Sequence, residues 1–123
     1  MAQTILLVDD DQMVIQCTLD VLGLIDGIKV VTAKNGVEAV GLVEGGLIFD
    51  LLLTDWQMTL MGGEALVTEL RSRGCCQPFI LMTGDARVPK TIPGVDLVIL
   101  KPYDVSELID AVRDRMDARA AVA

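Results

Sequence analysis

The chain has 123 residues, of which 10 are basic and 18 acidic, for a formal net charge of -8 at pH 7. That charge repels nucleic acid and anionic membrane surfaces at long range, so direct nucleic acid binding is not expected. A chain of this length suits one domain burying roughly two thirds of its unfolded surface, and with 52% hydrophobic but only 3% aromatic residues its core must be aliphatic, which favours α/β layers over an aromatic-rich β-sandwich.

Apolar strand-like runs alternate with helix-period segments from end to end, the pattern of a parallel sheet with crossover helices. The first run is TILLVD, residues 4–9. It leads into a helix whose Val14, Cys17, Val21 and Leu22 have the spacing of one buried stripe. A second strand, IKVVTA, ends at KNGVEA, where Asn35 and Glu38 have capping-box spacing, so a helix is predicted to begin near Gly36 and to stop at Gly45–Gly46. The run DLLLTDWQM, residues 50–58, holds a third strand with three successive leucines, as expected of a strand buried on both faces.

GEALVTELRSRG reads as a helix with Leu66, Val67 and Leu70 inward and Gly74 past its end. PFILMT and DLVILK are the fourth and fifth strands. Between them, DARVPKTIPG holds Pro89 and Pro93 where a fourth helix should lie. Proline inside a helix costs about 3 kcal/mol, so any helix there should be short or absent. The final helix is predicted to start at Asp104 as N-cap, with Val105, Leu108, Ile109, Val112 and Met116 on one face. Its tail, residues 118–123, is expected to fray.

The three cysteines are an odd number, and Cys75 and Cys76 are adjacent, which fits neither a disulfide framework nor a zinc site; reduced cytosolic thiols are expected. The amino terminus has no basic segment ahead of its apolar run, unlike a signal peptide. No apolar run reaches the length of a membrane span. The expected location is cytoplasmic.

In open α/β sheets ligands bind outside the carboxyl ends of the strands. Asp9, Asp10 and Asp11 follow strand one, Asp55 ends strand three, Thr83 ends strand four, and Lys101 ends strand five before Pro102. Taken singly these are weak signals, because a carboxylate after a strand is often a helix cap. Together, four of the five strands deliver a compatible group to one edge. Asp9, Asp10 and Asp55 bring three negative charges against one from Lys101, and a hard divalent cation would neutralise the excess. Mg²⁺ suits it, since it takes oxygen ligands from one or two carboxylates together with phosphate oxygens. Asp55 could then act as a nucleophile toward a phosphoryl group while Lys101 and the Thr83 hydroxyl hold the transferred oxygens.

These pieces, ILLVDDD, DLLLTDWQM, the glycines at 62 and 63, ILMTGDA and LKPYD, resemble the receiver domain of two-component response regulators over essentially the whole chain, residues 1–123. The resemblance implies a doubly wound five-stranded parallel sheet in the flavodoxin-like order 2-1-3-4-5, here with a degenerate fourth helix. It implies that Asp55 accepts a phosphoryl group from a phosphohistidine on a histidine kinase or histidine phosphotransfer protein. Mg²⁺ would be held by Asp9, Asp10, Asp55 and the backbone carbonyl of Gln57. Lys101 would pair with the acceptor, Thr83 would move to meet the phosphoryl group, and Gly84 would leave the pocket open. Gln57 and Asp85 match positions that tune spontaneous dephosphorylation, and Asp11 is expected to cap the helix. The domain would be a phosphoacceptor with slow self-catalysed dephosphorylation at most, acting on an unidentified downstream protein, either alone or as part of a longer chain.

Three departures stand out. Thr59 replaces the usual proline, so the loop after strand three should be less rigid. Val98 replaces the aromatic residue that many members rotate inward on activation. The proline-bearing segment leaves little room for a fourth helix, so signalling is expected to use another surface or the ordering of this segment; a static loop is the alternative. Competing readings are a receiver-like interaction module that is not phosphorylated and a small Mg²⁺-dependent phosphatase using an aspartate nucleophile. A flavin binder is disfavoured because three aspartates after strand one would repel its phosphate.

Overall fold

The computed structural model describes residues 2–122, with side chains through Asp117; Met1 and Ala123 lie outside the described residues. Five strands, β1 (Gln3–Val8), β2 (Ile28–Ala33), β3 (Leu51–Asp55), β4 (Phe79–Thr83) and β5 (Leu97–Leu100), pair in parallel in the order β2-β1-β3-β4-β5. Four helices join them: α1 (Gln12–Leu22), α2 (Gly36–Glu44), α3 (Gly63–Ser72) and α4 (Val105–Val122). This is the expected doubly wound α/β sheet.

Strand alternation sorts the core into two layers. Ile5, Leu7, Leu51, Leu53, Ile80, Met82 and Ile99 pack with residues of α1 and α4. Leu6, Val8, Leu52 and Phe79 pack with α2 and α3 on the other face. Leu51, Leu52 and Leu53 are each 0% exposed, so the leucine run is covered on both faces and fixes the end of β3 rigidly. Burying each such side chain contributes about 1.5–3 kcal/mol.

Helix limits follow local chemistry. Asn35 Oδ1 accepts the Glu38 N–H at 2.9 Å and caps α2, as the spacing predicts. Asp11 caps α1, accepting from the amides of Met13 and Val14. Gly74, at φ 90°, turns the chain beyond α3.

Two stripes differ from expectation. On α1 the buried residues are Ile15, Thr18 and Leu22, while Cys17 is exposed. Periodicity alone does not say which of two neighbouring stripes meets the sheet, and Thr18 is tolerated inside because its hydroxyl donates to Val14 O at 2.8 Å. On α4, Leu108, Ala111, Val112 and Met116 are buried but Val105, the first residue of the helix, is 48% exposed. The backbone of α4 stays helical through Val122, including most of the tail expected to fray.

Between β4 and β5 the chain forms turns and no helix. Ile92, at 8% exposed, plugs the core there. Arg71 of α3 fastens the returning chain: its guanidinium donates to Gly94 O, Cys75 O, Gln77 O and Asp96 Oδ2, and lies 3.5 Å over the Phe79 ring. Asp96 Oδ2 also accepts the Phe79 N–H at 2.7 Å.

Candidate phosphoryl-transfer site

The parallel order brings the carboxyl ends of β1, β3, β4 and β5 side by side. Asp9 follows β1 directly and is 1% exposed. Asp55 closes β3. Lys101, joined to Pro102 by a cis peptide, reaches across from the end of β5. Its Nζ stands 3.1 Å from Asp55 Oδ1 and 3.7 Å from Asp9 Oδ2, while its backbone N–H donates to Thr83 O at 2.7 Å.

One carboxylate oxygen from each of Asp9, Asp10 and Asp55 lies within 4.8 Å of the other two. Asp9 Oδ1 accepts the Asp11 N–H, but Asp9 Oδ2 is buried with no hydrogen-bond partner. An orphaned buried carboxylate oxygen beside two further carboxylates is the hard donor set that Mg²⁺ takes, so these residues fit the ion. Burial pushes the Asp9 carboxyl above its ordinary value. The Asp11 amide opposes this, Asp55 adds to it, Lys101 opposes it, and Asp10 adds again.

Asp10 is exposed, and its Oδ2 accepts the Thr59 N–H at 3.1 Å. A proline at 59 could not make that bond. The loop expected to be loose is therefore tied to the β1 end by the very residue that replaces proline. Thr54 Oγ1 donates to Asp55 O at 3.0 Å, and Gly63 N–H donates to Trp56 O at 2.9 Å. At Gly63 any Cβ would overlap the Asp55 carbonyl, which is the packing reason for glycine there.

A cavity of about 480 Å³ opens onto this edge, lined by Asp55, Gln57, Thr83, Gly84, Asp85, Ala86 and Lys101. Nothing lies within 4 Å of where a Gly84 Cβ would sit. The Thr83 hydroxyl accepts the Asp85 N–H at 3.0 Å. All the residues singled out in the sequence thus meet at one edge, with Gln57 exposed at the mouth. Arg87 was not singled out: it binds both oxygens of Asp85, through Nε to Oδ1 at 3.0 Å and Nη2 to Oδ2 at 2.9 Å. Only an i,i+2 acid–base spacing hinted at it.

Such a sheet, with acids, a hydroxyl and a lysine gathered at its carboxyl edge, has the architecture of a receiver domain. The model of the response regulator receiver domain matches residues 5–113, and the chain belongs to that family, the receivers of two-component response regulators. It is 28% identical to the transcriptional regulatory protein PcoR of Escherichia coli over 116 residues, covering 90% of this chain and 50% of PcoR. Identity to the response regulator SaeR of Staphylococcus aureus is also 28%, over 109 residues, 85% of this chain and 46% of SaeR. The chain spans about half the length of the curated relatives it matches. A CheY-like receiver from Methanospirillum hungatei superposes with a TM-score of 0.89 at 24% identity, covering 100% of both chains. The response regulator TrrA of Thermotoga maritima, solved with Mg²⁺ and BeF, gives 0.82 at 25% identity, covering 91% of this chain and 97% of that one. No helix among the described residues is long and apolar enough to cross a membrane.

Proposed function

We propose that residues 1–123 form one receiver domain in which Asp55 accepts a phosphoryl group from a phosphohistidine of a histidine kinase or histidine phosphotransfer protein, in a Mg²⁺-dependent reaction. The observation that carries this reading is the convergence of Lys101 Nζ on Asp55 Oδ1 at 3.1 Å, beside a buried Asp9 oxygen that no hydrogen bond satisfies. The ionised Asp55 carboxylate needs no base. Its oxygen forms a bond to phosphorus as the phosphorus–nitrogen bond to the donor imidazole breaks. Lys101 holds Asp55 in place and, with the Thr83 hydroxyl, receives the phosphoryl oxygens. Mg²⁺ bound by Asp9, Asp10, Asp55 and the Gln57 carbonyl would supply charge neutralisation at those oxygens.

The acceptor is used once per phosphorylation rather than in enzymatic turnover, and its modification switches contacts with a downstream protein. The net charge of -8 disfavours direct contact of these residues with nucleic acid or an anionic membrane surface, and the free cysteines suit a reducing, cytoplasmic setting. Trp56, next to the acceptor, reports the chemistry. Millimolar Mg²⁺ should change its fluorescence, acetyl phosphate should change it further, and Asp55→Asn should abolish the second change. A flat titration leaves an unphosphorylated interaction module, and repeated turnover of general phosphate esters would revive the phosphatase.

A further inference from the structure

The mouth of the site holds a fourth carboxylate, Asp85, next to the cavity that a phosphoryl donor must enter. Donors of phosphoryl groups are anions, and a free carboxylate at that point would oppose their approach. Asp85 is not free. Besides the paired contacts from the Arg87 side chain, its Oδ1 accepts the Arg87 backbone N–H at 2.9 Å, and its carbonyl accepts the Val88 N–H at 3.1 Å. The turn is thus closed twice around a two-point carboxylate–guanidinium pair, a geometry that Arg makes and Lys does not. Arg87 holds Asp85 below the usual carboxylate range, first through the side-chain bond and then through the backbone one. The Arg87 side chain is 90% exposed and touches no other polar partner among the described residues, so its contacts go to Asp85 alone.

Resting on the acceptor reading above, we propose that Arg87 is a positioning residue for phosphoryl transfer, which holds and neutralises Asp85 so that an anionic donor enters past Gly84 and Ala86 to Asp55. Once the Mg²⁺ charge is counted against Asp9, Asp10, Asp55 and Lys101, the centre is formally neutral, and Asp85 is the charge that decides the sign of the mouth. Arg87 cancels it. One unit charge a few ångströms from the donor path, in a largely aqueous setting, is worth about a threefold to fivefold change in rate at low salt. That change must shrink as salt screens it.

The test measures phosphorylation by acetyl phosphate with Mg²⁺, where the Asp55 oxygen bonds to phosphorus as the phosphorus–oxygen bond to acetate breaks. Phosphoprotein is quantified by intact mass for the unsubstituted chain, R87Q, D85N and D85N/R87Q, at low and high ionic strength. With Asp85 present, R87Q should slow the reaction about threefold to fivefold at low salt and less at high salt. Because removing both charges leaves the mouth as neutral as in the parent, D85N/R87Q should return to the parent rate. A double variant that stays as slow as R87Q, or slowing that ignores salt, would overturn the proposal and make Arg87 a direct donor contact or a scaffold residue. Unchanged rates in R87Q would overturn it too. If the unsubstituted chain gains no phosphoryl group, or D55N still gains one, the acceptor reading falls and this inference with it.

Discussion

At the residue scale, Asp9 carries the clearest electrostatic cost of the site. Its carboxyl is raised chiefly by burial, from an ordinary value of 3.8. A raised folded value means that the native state binds more protons than the unfolded chain between the two values, so this residue's contribution to stability falls as pH rises through that window. Without metal at neutral pH it is a buried, incompletely paired charge. Metal-free Asp9→Asn should therefore be more stable than the parent by about 1 kcal/mol at pH 7 and little different below about pH 4, in urea denaturation with a chelator present. Mg²⁺ should stabilise the parent, by linkage to the folded state, and not the variant. A variant that is less stable in chelator would show that the Lys101 contact outweighs burial. Lys101 itself should matter mainly to the reaction: Lys101→Ala is expected to slow phosphoryl acceptance about 100-fold, the size of losing one preorganised charge partner.

At the element scale, two contacts hold α3 against the sheet, one at each end. Gly63 lets the start of α3 close against the end of β3, where a methyl group would meet the Asp55 carbonyl. Gly63→Ala should cost about 1–3 kcal/mol as overpacking and should displace the acceptor, slowing phosphorylation as well as lowering the urea midpoint. The other contact is the Arg71 strut at the far end of the sheet. It joins α3, the start of β4 and the chain entering β5 through one planar guanidinium. Arg71→Lys keeps the charge but loses the fork, and it should destabilise by about 2 kcal/mol or more, nearly as much as Arg71→Ala. Parity of Arg71→Lys with the parent would show that charge alone suffices.

At the scale of the whole molecule, the helix-free crossover divides at Ile92. Ile92 is buried, Val95 packs against the core, and Arg71 ties Gly94 and Asp96, whereas residues 84–91 hang from the Thr83–Asp85 contact at the site itself. Engagement of the Thr83 hydroxyl by a phosphoryl group would be felt first in that turn. Hydrogen exchange with and without beryllofluoride should therefore change across residues 84–91 and stay constant across 92–97. Uniform protection throughout would make the crossover a static loop, the other outcome that its two prolines allow.

Most of the fold and the roster of the site were legible in the linear chain, for particular reasons. Strands announce themselves as short aliphatic runs between turn residues, and the β2 limits Ile28–Ala33 coincide with IKVVTA. Asn35 and Glu38 mark α2 because capping chemistry is local. Pro89 and Pro93 make any long helix there costly, and the segment forms turns. Asp9, Asp55, Thr83 and Lys101 could be grouped from the chain alone because parallel strands place all their carboxyl ends at one edge. What sequence spacing left open was which face turns inward and which long side chain finds which partner. Cys17 on α1 and Val105 on α4 satisfy the period yet meet solvent, since helix rotation is decided by packing on the sheet. The Arg71 strut, the Thr59 amide on Asp10 and the Arg87 hold on Asp85 are likewise tertiary facts. Local chemistry determines elements and strand ends, whereas pairing between side chains depends on distances that only the assembled sheet creates.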